Sequence, residues 1–173
     1  DRLKSEARLC YAMLAQRFGE MPQGIEATAV LRRMDLPGHR LAQFSGPTLD
    51  GEYVDAKEFV GKVTVIYFWD SENQEFVERL LPLLKQAAEA SNNKLRFVGV
   101  TLNEDEAQTR ASITNLTLPG KQIFFPNPKQ RSWQSPLIRF WGVSRSPSVW
   151  LVGRDGLVKA VDVGPSQLVA QTK

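Results

Sequence analysis

A chain of 173 residues suits one globular core with an appendage, because single hydrophobic cores commonly serve roughly 100–200 residues. Hydrophobic residues make up 42% of the chain and charged residues 24%, which excludes a disordered chain and a fibrous repeat. The net charge of +3 arises from basic residues scattered among acidic ones, so we predict no nucleic-acid binding.

The small numbers of cysteine and histidine residues limit the possible redox and metal chemistry further. The single cysteine, Cys10, excludes an intrachain disulfide, and the single histidine, His39, has no second His or Cys nearby for a metal site. We therefore predict no metal and no cofactor. No apolar run approaches the roughly 18 residues of a membrane helix, so we expect no membrane insertion of this fragment. From the start at Asp1 without Met we expect a processed or trimmed chain.

Two helices are predicted at the start of the chain. Apolar residues recur at helical spacing over residues 3–18, with Gly19 as a stop signal, and again over Gly24 to Met34. Cys10 lies on the apolar face of the first helix, where a small buried hydrophobic role is expected. We assign residues 1–36 to a helical hairpin that caps the next domain or ends a larger helical region, and residues 37–173 to the main domain.

The spacing then changes to that of strands. Leu41 to Ser45 and Thr48 to Tyr53 predict a hairpin with its turn at Asp50-Gly51. Val63 to Trp69 is a β-branched and aromatic run with little alternation, which predicts a central strand covered on both faces.

A capping box, Ser71-Glu72-Asn73-Gln74, follows this strand and predicts the start of a helix. Pro82 is expected to kink that helix, because proline lacks a backbone donor and clashes with the carbonyl one turn earlier. Leu95 to Val100 then closes a right-handed strand–helix–strand unit with a parallel strand pair.

The last third of the chain predicts short elements that end in an antiparallel hairpin. They comprise a helix over Glu104–Thr114, a strand over Ile123–Phe125, a helix over Pro136–Trp141, and strands over Ser148–Val152 and Leu157–Val161 about a Gly153–Gly156 turn. The predicted sheet is therefore mixed, with parallel strands first and antiparallel strands last.

This order of motifs resembles the thioredoxin superfamily, in its TlpA/AhpC-TSA-type redoxin branch. The resemblance rests on the strand ending in Phe68-Trp69, the kinked helix, the second parallel strand and the Trp141–Pro147 segment before a hairpin. The segment Phe44 to Gly61 is similar to the lead-in of that branch. The implied fold is α/β, a thioredoxin-like three-layer α/β/α sandwich with a mixed central sheet, preceded by the helical hairpin.

The resemblance also implies where two redox cysteines of a Cys-x-x-Cys segment would stand. Counting forward from Trp69 puts Asn73 and Phe76 at those positions, and counting back from Pro82 puts Gln74 and Val77 there. Neither register contains a thiol, so we predict no catalytic residue at this turn. Pro147 matches the cis proline that faces the redox pair in the family.

We therefore interpret the chain as a non-catalytic thioredoxin-like domain that binds a protein or peptide or acts as a scaffold. The predicted binding surface consists of Trp69, Asp70, Ser71, Glu72, Arg145, Ser146 and Pro147. One alternative is a thiol-disulfide oxidoreductase or antioxidant redoxin that uses Cys10 or a thiol of a partner. Another is a small-molecule binder built on the tryptophans, although core packing is the more ordinary role for them. The resemblance implies a soluble domain in the bacterial periplasm or cell envelope.

Overall fold

The computed structural model describes residues 2–164, and the predicted main domain therefore includes residues 165–173 that lie outside the described part. The helices are α1 (Arg2–Arg17), α2 (Pro22–Met34), α3 (Leu81–Ala90), α4 (Glu106–Leu116) and α5 (Pro136–Trp141). The strands are β1 (Ser45–Pro47), β2 (Tyr53–Asp55), β3 (Val63–Trp69), β4 (Leu95–Thr101), β5 (Lys121–Ile123), β6 (Ser148–Val152) and β7 (Val158–Ala160). A π-helical turn over Glu75–Leu80 runs directly into α3.

The central sheet has five strands in the order β5-β4-β3-β6-β7. Strand β3 pairs in parallel with β4 and antiparallel with β6, so the prediction of a mixed sheet is confirmed. Every β3 residue from Thr64 to Trp69 is buried, as expected for a strand with neighbours on both edges and helices on both faces. Strands β1 and β2 form a separate antiparallel pair.

The first predicted hairpin is right in type but begins later than expected. The structure has β1 starting at Ser45, whereas Leu41 to Ser45 was the predicted strand. Leu41 and Phe44 are 3% and 0% exposed and pack into the core beneath the sheet. These two apolar side chains hold an irregular segment against the core. The spacing of apolar residues alone does not distinguish such a segment from a short strand.

Two hydrophobic clusters cover the two faces of the sheet. On one face, β3 and β6 side chains such as Phe68 and Trp150 pack against Ile138 and Trp141 of α5. On the other face, alternate residues of the same strands pack against the π-turn and α3, with Leu84 at 0% exposure. The thioredoxin-like three-layer α/β/α arrangement is thus confirmed.

The N-terminal hairpin joins this body through α2. Gly142, with φ of 62°, lies so close to α2 that a Cβ there would stand 2.6 Å from the carbonyl of Ala29. Helix α1 packs on α2 and contains no buried residue. The expectation of a buried Cys10 is therefore wrong, since this side chain is exposed. Among residues 2–164, no helix is both long and apolar enough to cross a membrane.

Candidate functional site

The turn after β3 is organised by side chains that fold back on its own backbone. The Asp70 carboxylate accepts from the Glu72 backbone N–H at 2.8 Å, and the Asn73 N–H donates to the Asp70 carbonyl at 3.2 Å. Asp70 and Ser71 are half-buried, whereas Glu72 is exposed. These bonds set the loop in a fixed conformation just before the helix begins.

Asn73 connects this turn to the segment before Pro147. Its Nδ2 donates to the Ser146 carbonyl oxygen at 3.0 Å, and its Oδ1 accepts from the Phe76 backbone N–H at 3.1 Å. The Ser146–Pro147 peptide bond is cis. One side chain therefore caps the helix start and fastens it to the cis-proline segment.

Phe76 fills the interior behind the turn. It is 0% exposed, and its ring stacks between Tyr67 and Trp69 with centroid distances of 6.1 and 5.6 Å. An aromatic ring thus occupies the second of the two positions that the forward count assigns to a redox thiol. No acid–base or nucleophilic group takes its place there.

The π-turn explains why the two counts of the redox positions differ by one residue. A π-turn bonds residue i to i+5, so it holds one residue more than an α-turn in the same helix. The Leu81 N–H donates to the Phe76 carbonyl in this way. The forward count is the one that fits at the turn itself, because Asn73 and not Gln74 faces the cis-proline segment. The extra residue is absorbed between Phe76 and Pro82.

The predicted capping box is wrong. The helix begins at Glu75, and the Asn73 side chain caps it by accepting from the Phe76 N–H. Ser71 instead donates from both its backbone N–H and its hydroxyl to the side-chain oxygen Oδ1 of Asn103, at 3.1 and 3.2 Å. Asn103 follows the end of β4, and the carboxyl ends of parallel strands lie at one edge of a sheet. Sequence analysis missed Asn103; its position just beyond the second parallel strand was the available signal.

The N-terminal helical hairpin also contacts the segment before Pro147. Arg33 in the last turn of α2 donates to the carbonyl of Gly142 and to the Ser144 hydroxyl, the latter at 2.9 Å. Arg33 also lies 3.7 Å from the carboxylate of Asp162. These contacts make the helical hairpin part of the support for the cis-proline segment, a role that its sequence pattern did not indicate.

The exposed Arg145 folds onto the same acidic residue. Its guanidinium donates to the Asp162 backbone carbonyl at 3.0 Å and lies 3.7 Å from the Asp162 carboxylate. Ser148 donates from its hydroxyl to that carboxylate at 2.7 Å. The backbone next to Pro147 is therefore fastened from the turn after β3, from α2 and from Asp162.

Trp69 does not belong to the surface on which it was predicted. It is 0% exposed, and its indole N–H donates to the buried Gln122 side chain at 3.0 Å. Gln122 in turn donates to the Tyr67 hydroxyl at 2.6 Å, and that hydroxyl donates to the Pro119 carbonyl at 2.7 Å. Burial raises the pKa of Tyr67 well above its ordinary value, so the phenol stays protonated as a donor. Trp69 is a core residue behind the site.

The remaining tryptophans do not form a common pocket. Trp150 and Trp141 are 0% and 4% exposed within the core, and Trp133 alone of the four is exposed. Trp133 borders a groove of about 450 Å³ between α2 and α5, beside Ile25 and Ile138. The four tryptophans therefore do not line one ligand pocket, as the small-molecule-binder alternative would require. Within residues 2–164, no three His, Cys, Asp or Glu side chains gather in a way that could hold a metal ion.

A mixed sheet with a cis-proline segment opposite the turn after its central strand defines a protein of the thioredoxin class, here with no thiol at that turn. The family model described as thioredoxin-like matches residues 61–158, and the chain belongs to this family. A comparison with curated proteins found no match.

Solved structures of oxidoreductases share the fold. The thioredoxin domain of a thiol-disulfide oxidoreductase from Bacteroides vulgatus is 18% identical, with a TM-score of 0.66 over 78% of this chain and 94% of that one. A thiol-disulfide oxidoreductase from Bacteroides fragilis is 22% identical, with a TM-score of 0.64 over 77% and 96%. A secreted disulfide oxidoreductase of Mycobacterium tuberculosis, homologous to E. coli DsbE, is 20% identical, with a TM-score of 0.62 over 76% and 95%. At these identities the likeness concerns the fold alone.

Proposed function

We propose that this chain is a non-catalytic thioredoxin-like domain that binds a protein segment or acts as a scaffold, without exchanging disulfides. The observation that carries the proposal is the bond from Asn73 to the Ser146 carbonyl. Disulfide exchange needs a thiolate that attacks and a second sulfur that resolves the mixed disulfide. An amide and a buried phenyl ring, Asn73 and Phe76, stand at those two positions and support neither step.

Cys10 is the one thiol available for the alternative of an oxidoreductase. Cys10 lies on α1 of the N-terminal hairpin. The turn after β3 and the cis-proline segment belong instead to the thioredoxin-like body, so Cys10 is in a different part of the chain. The support that Arg33 and Asn73 give to the cis-proline segment also fits a fixed binding surface better than a reactive site that must accept and release a covalent partner. The alternative of a thiol supplied by another molecule is tested in the insulin assay described below, in which dithiothreitol provides that thiol.

The surface we propose for binding is formed by the loop Asp70–Asn73 and the segment Arg145–Pro147, which the Asn73 bond joins side by side. Because the Ser146 carbonyl already accepts a hydrogen bond, a partner that added as a β-strand would have to share or displace it. We therefore expect recognition to rely on the exposed side chains of Glu72 and Arg145. A polar, extended segment that carries both signs of charge suits this pair.

We place this function in the bacterial cell envelope. The fold similarity to a secreted oxidoreductase supports this setting. Expression of the protein in a bacterial host, followed by separation of envelope and cytoplasm, tests the location; recovery in the cytoplasm alone would contradict it.

The catalytic part of the proposal is tested by reduction of insulin disulfides with dithiothreitol as electron donor. We expect the wild type to give the background rate, and Cys10→Ser to be indistinguishable from it. A wild-type rate well above background that Cys10→Ser abolishes would establish the oxidoreductase alternative. Wild-type activity that survives Cys10→Ser, with dithiothreitol supplying the external thiol, would also overturn the proposal.

The binding part is tested with an array of synthetic dodecapeptides of both charge signs and amide NMR of the chain. Binding peptides should shift the amide resonances of residues 70–73 and of Arg145, Ser146 and Ser148. Charge reversal by Arg145→Glu should weaken their binding about fivefold, as for the loss of one rim ion pair of about 1 kcal/mol. Lys94→Glu, outside this surface, serves as the matched control. Peptides that shift only residues elsewhere, or an array with no binder, would refute this surface.

A further inference from the structure

Helix α1 carries an apolar seam at heptad spacing that nothing in the described chain covers. Leu3, Ala7, Cys10 and Leu14 follow one another at intervals of four, three and four residues, and we call these four residues the α1 seam. Leu3 is 81% and Leu14 38% exposed, and Ala7 and Cys10 are exposed as well. Such a seam is typical of helices that pack along their length against another helix.

The partner of the seam is not α2. The half-buried residues of α1 are Tyr11 and Ala15, and the Arg8 guanidinium pairs with the Asp35 carboxylate just beyond α2. At about 100° per residue, this covered side lies roughly a quarter turn from the seam. A helix with two contact faces a quarter turn apart has the geometry of a member of a four-helix bundle.

The apolar area that this face of α1 exposes is large enough to bind another protein surface. The α1 seam and the neighbouring Phe18, which follows α1 and is 42% exposed, together leave on the order of 400 Å² of apolar area in contact with water. That is as large as the largest apolar patch of many monomers. Two such faces and their flanking polar side chains together bury roughly 1,000 Å², which is about the lower limit for a specific interface.

We propose that a second copy of this chain covers the seam, and that two hairpins form an antiparallel four-helix bundle about a two-fold axis. The axis passes between Ala7 and Cys10, so that Leu3 of one copy packs on Leu14 of the other. The small central residues allow the helices to approach, and the large ones close the ends. Antiparallel packing also sets the helix dipoles in the favourable relative direction. Arg2 and Glu6, which flank the seam, form an ion pair within the helix at 2.8 Å, so their charges already compensate each other.

Sedimentation of the full 173-residue chain tests this dimer. We expect a dimer at micromolar concentration and a rise in Kd on the order of 100-fold in Leu14→Glu, because a carboxylate would lose its water in the seam. Leu3→Glu makes the same test at the most exposed seam position, where the fold of the monomer is not at risk. Leu9→Glu is the matched control, since Leu9 is 65% exposed but more than a third of a turn from the seam. A monomeric wild type at 100 µM, or equal dissociation by Leu9→Glu, overturns the proposal.

Cross-linking locates the interface independently. Cys10 is the only cysteine in the chain, so a bis-maleimide that spans the interaxial distance of packed helices, about 8–10 Å, reports on the seam. The wild type should form a covalent dimer in good yield. Cys10→Ser combined with Gln16→Cys, which moves the thiol off the seam, should remain largely monomeric. Equal yields from the two proteins contradict the assigned face. Neither experiment depends on peptide binding at the thioredoxin-like body, so the two proposals fail separately.

Discussion

The bond between Asn73 and Ser146 can be separated from the helix cap by two substitutions at one position. Asn73→Ala removes the amide that donates to the Ser146 carbonyl at 3.0 Å and the oxygen that accepts from the Phe76 N–H at 3.1 Å. Loss of a side-chain cap costs about 1 kcal/mol, and loss of a neutral hydrogen bond about 1 kcal/mol. We therefore expect Asn73→Ala to lower the free energy of unfolding by about 2 kcal/mol.

Asn73→Asp keeps the oxygen that caps the helix but replaces the donor with a second oxygen. A carboxylate suits a helix start and adds a few tenths of a kcal/mol there, while it faces the Ser146 carbonyl without a proton to share. We expect a loss of about 1 kcal/mol, between the values for wild type and Asn73→Ala.

Urea unfolding followed by circular dichroism gives both free energies, provided that the m-value stays constant. Gln74→Ala is the matched control, because Gln74 is exposed and makes no side-chain cap, and it should change the free energy by less than about 0.5 kcal/mol. If Asn73→Asp is as stable as the wild type while Asn73→Ala loses about 1 kcal/mol, only the helix cap contributes to the free energy of unfolding, and the hydrogen bond to Ser146 contributes nothing measurable. If Asn73→Ala matches Gln74→Ala, the whole account of this turn is wrong.

Four further predictions follow from the packing and charges of the body. Phe76→Ala should cost about 3–5 kcal/mol in urea unfolding, since it empties the space between two aromatic rings. Arg33→Ala should speed amide hydrogen exchange over residues 142–148, and Arg33→Lys should restore only part of the protection because a lysine lacks the forked donors. Gly142→Ala should lower the melting temperature far more than Gly38→Ala, because both have positive φ but only the former meets backbone, 2.6 Å away. The Asp155 pKa lies below its ordinary value of 3.8, first because of the hydrogen bond from Lys159, so its NMR titration midpoint should be below 3.8. Its stabilising contribution is present above that ordinary value and disappears as the pH falls through the lowered one; a midpoint at or above 3.8 contradicts this.

Local sequence was sufficient for the elements with strong periodic or turn signals. Strand β3 and helix α5 have the predicted bounds, Val63–Trp69 and Pro136–Trp141. A run of β-branched and aromatic residues, or a proline at the first helical position, acts within a few residues and is visible in any sequence window. The absence of thiols at the turn after β3 was likewise legible, because it depends only on residue identity.

Tertiary contacts decided the features that make up the site. From the sequence, the register of the missing redox positions was ambiguous by one residue. The π-turn, which is visible only in the folded chain, accounts for that extra residue. The capping box prediction was wrong because the Ser71 backbone N–H and hydroxyl both donate to the side chain of Asn103, which is distant in the sequence but follows the neighbouring parallel strand. Cys10 lies on an apolar face, as its spacing predicts, yet periodicity cannot say whether such a face is covered. Sequence determines which side chains share a face or a turn, since that is local geometry; only the folded chain determines what they meet.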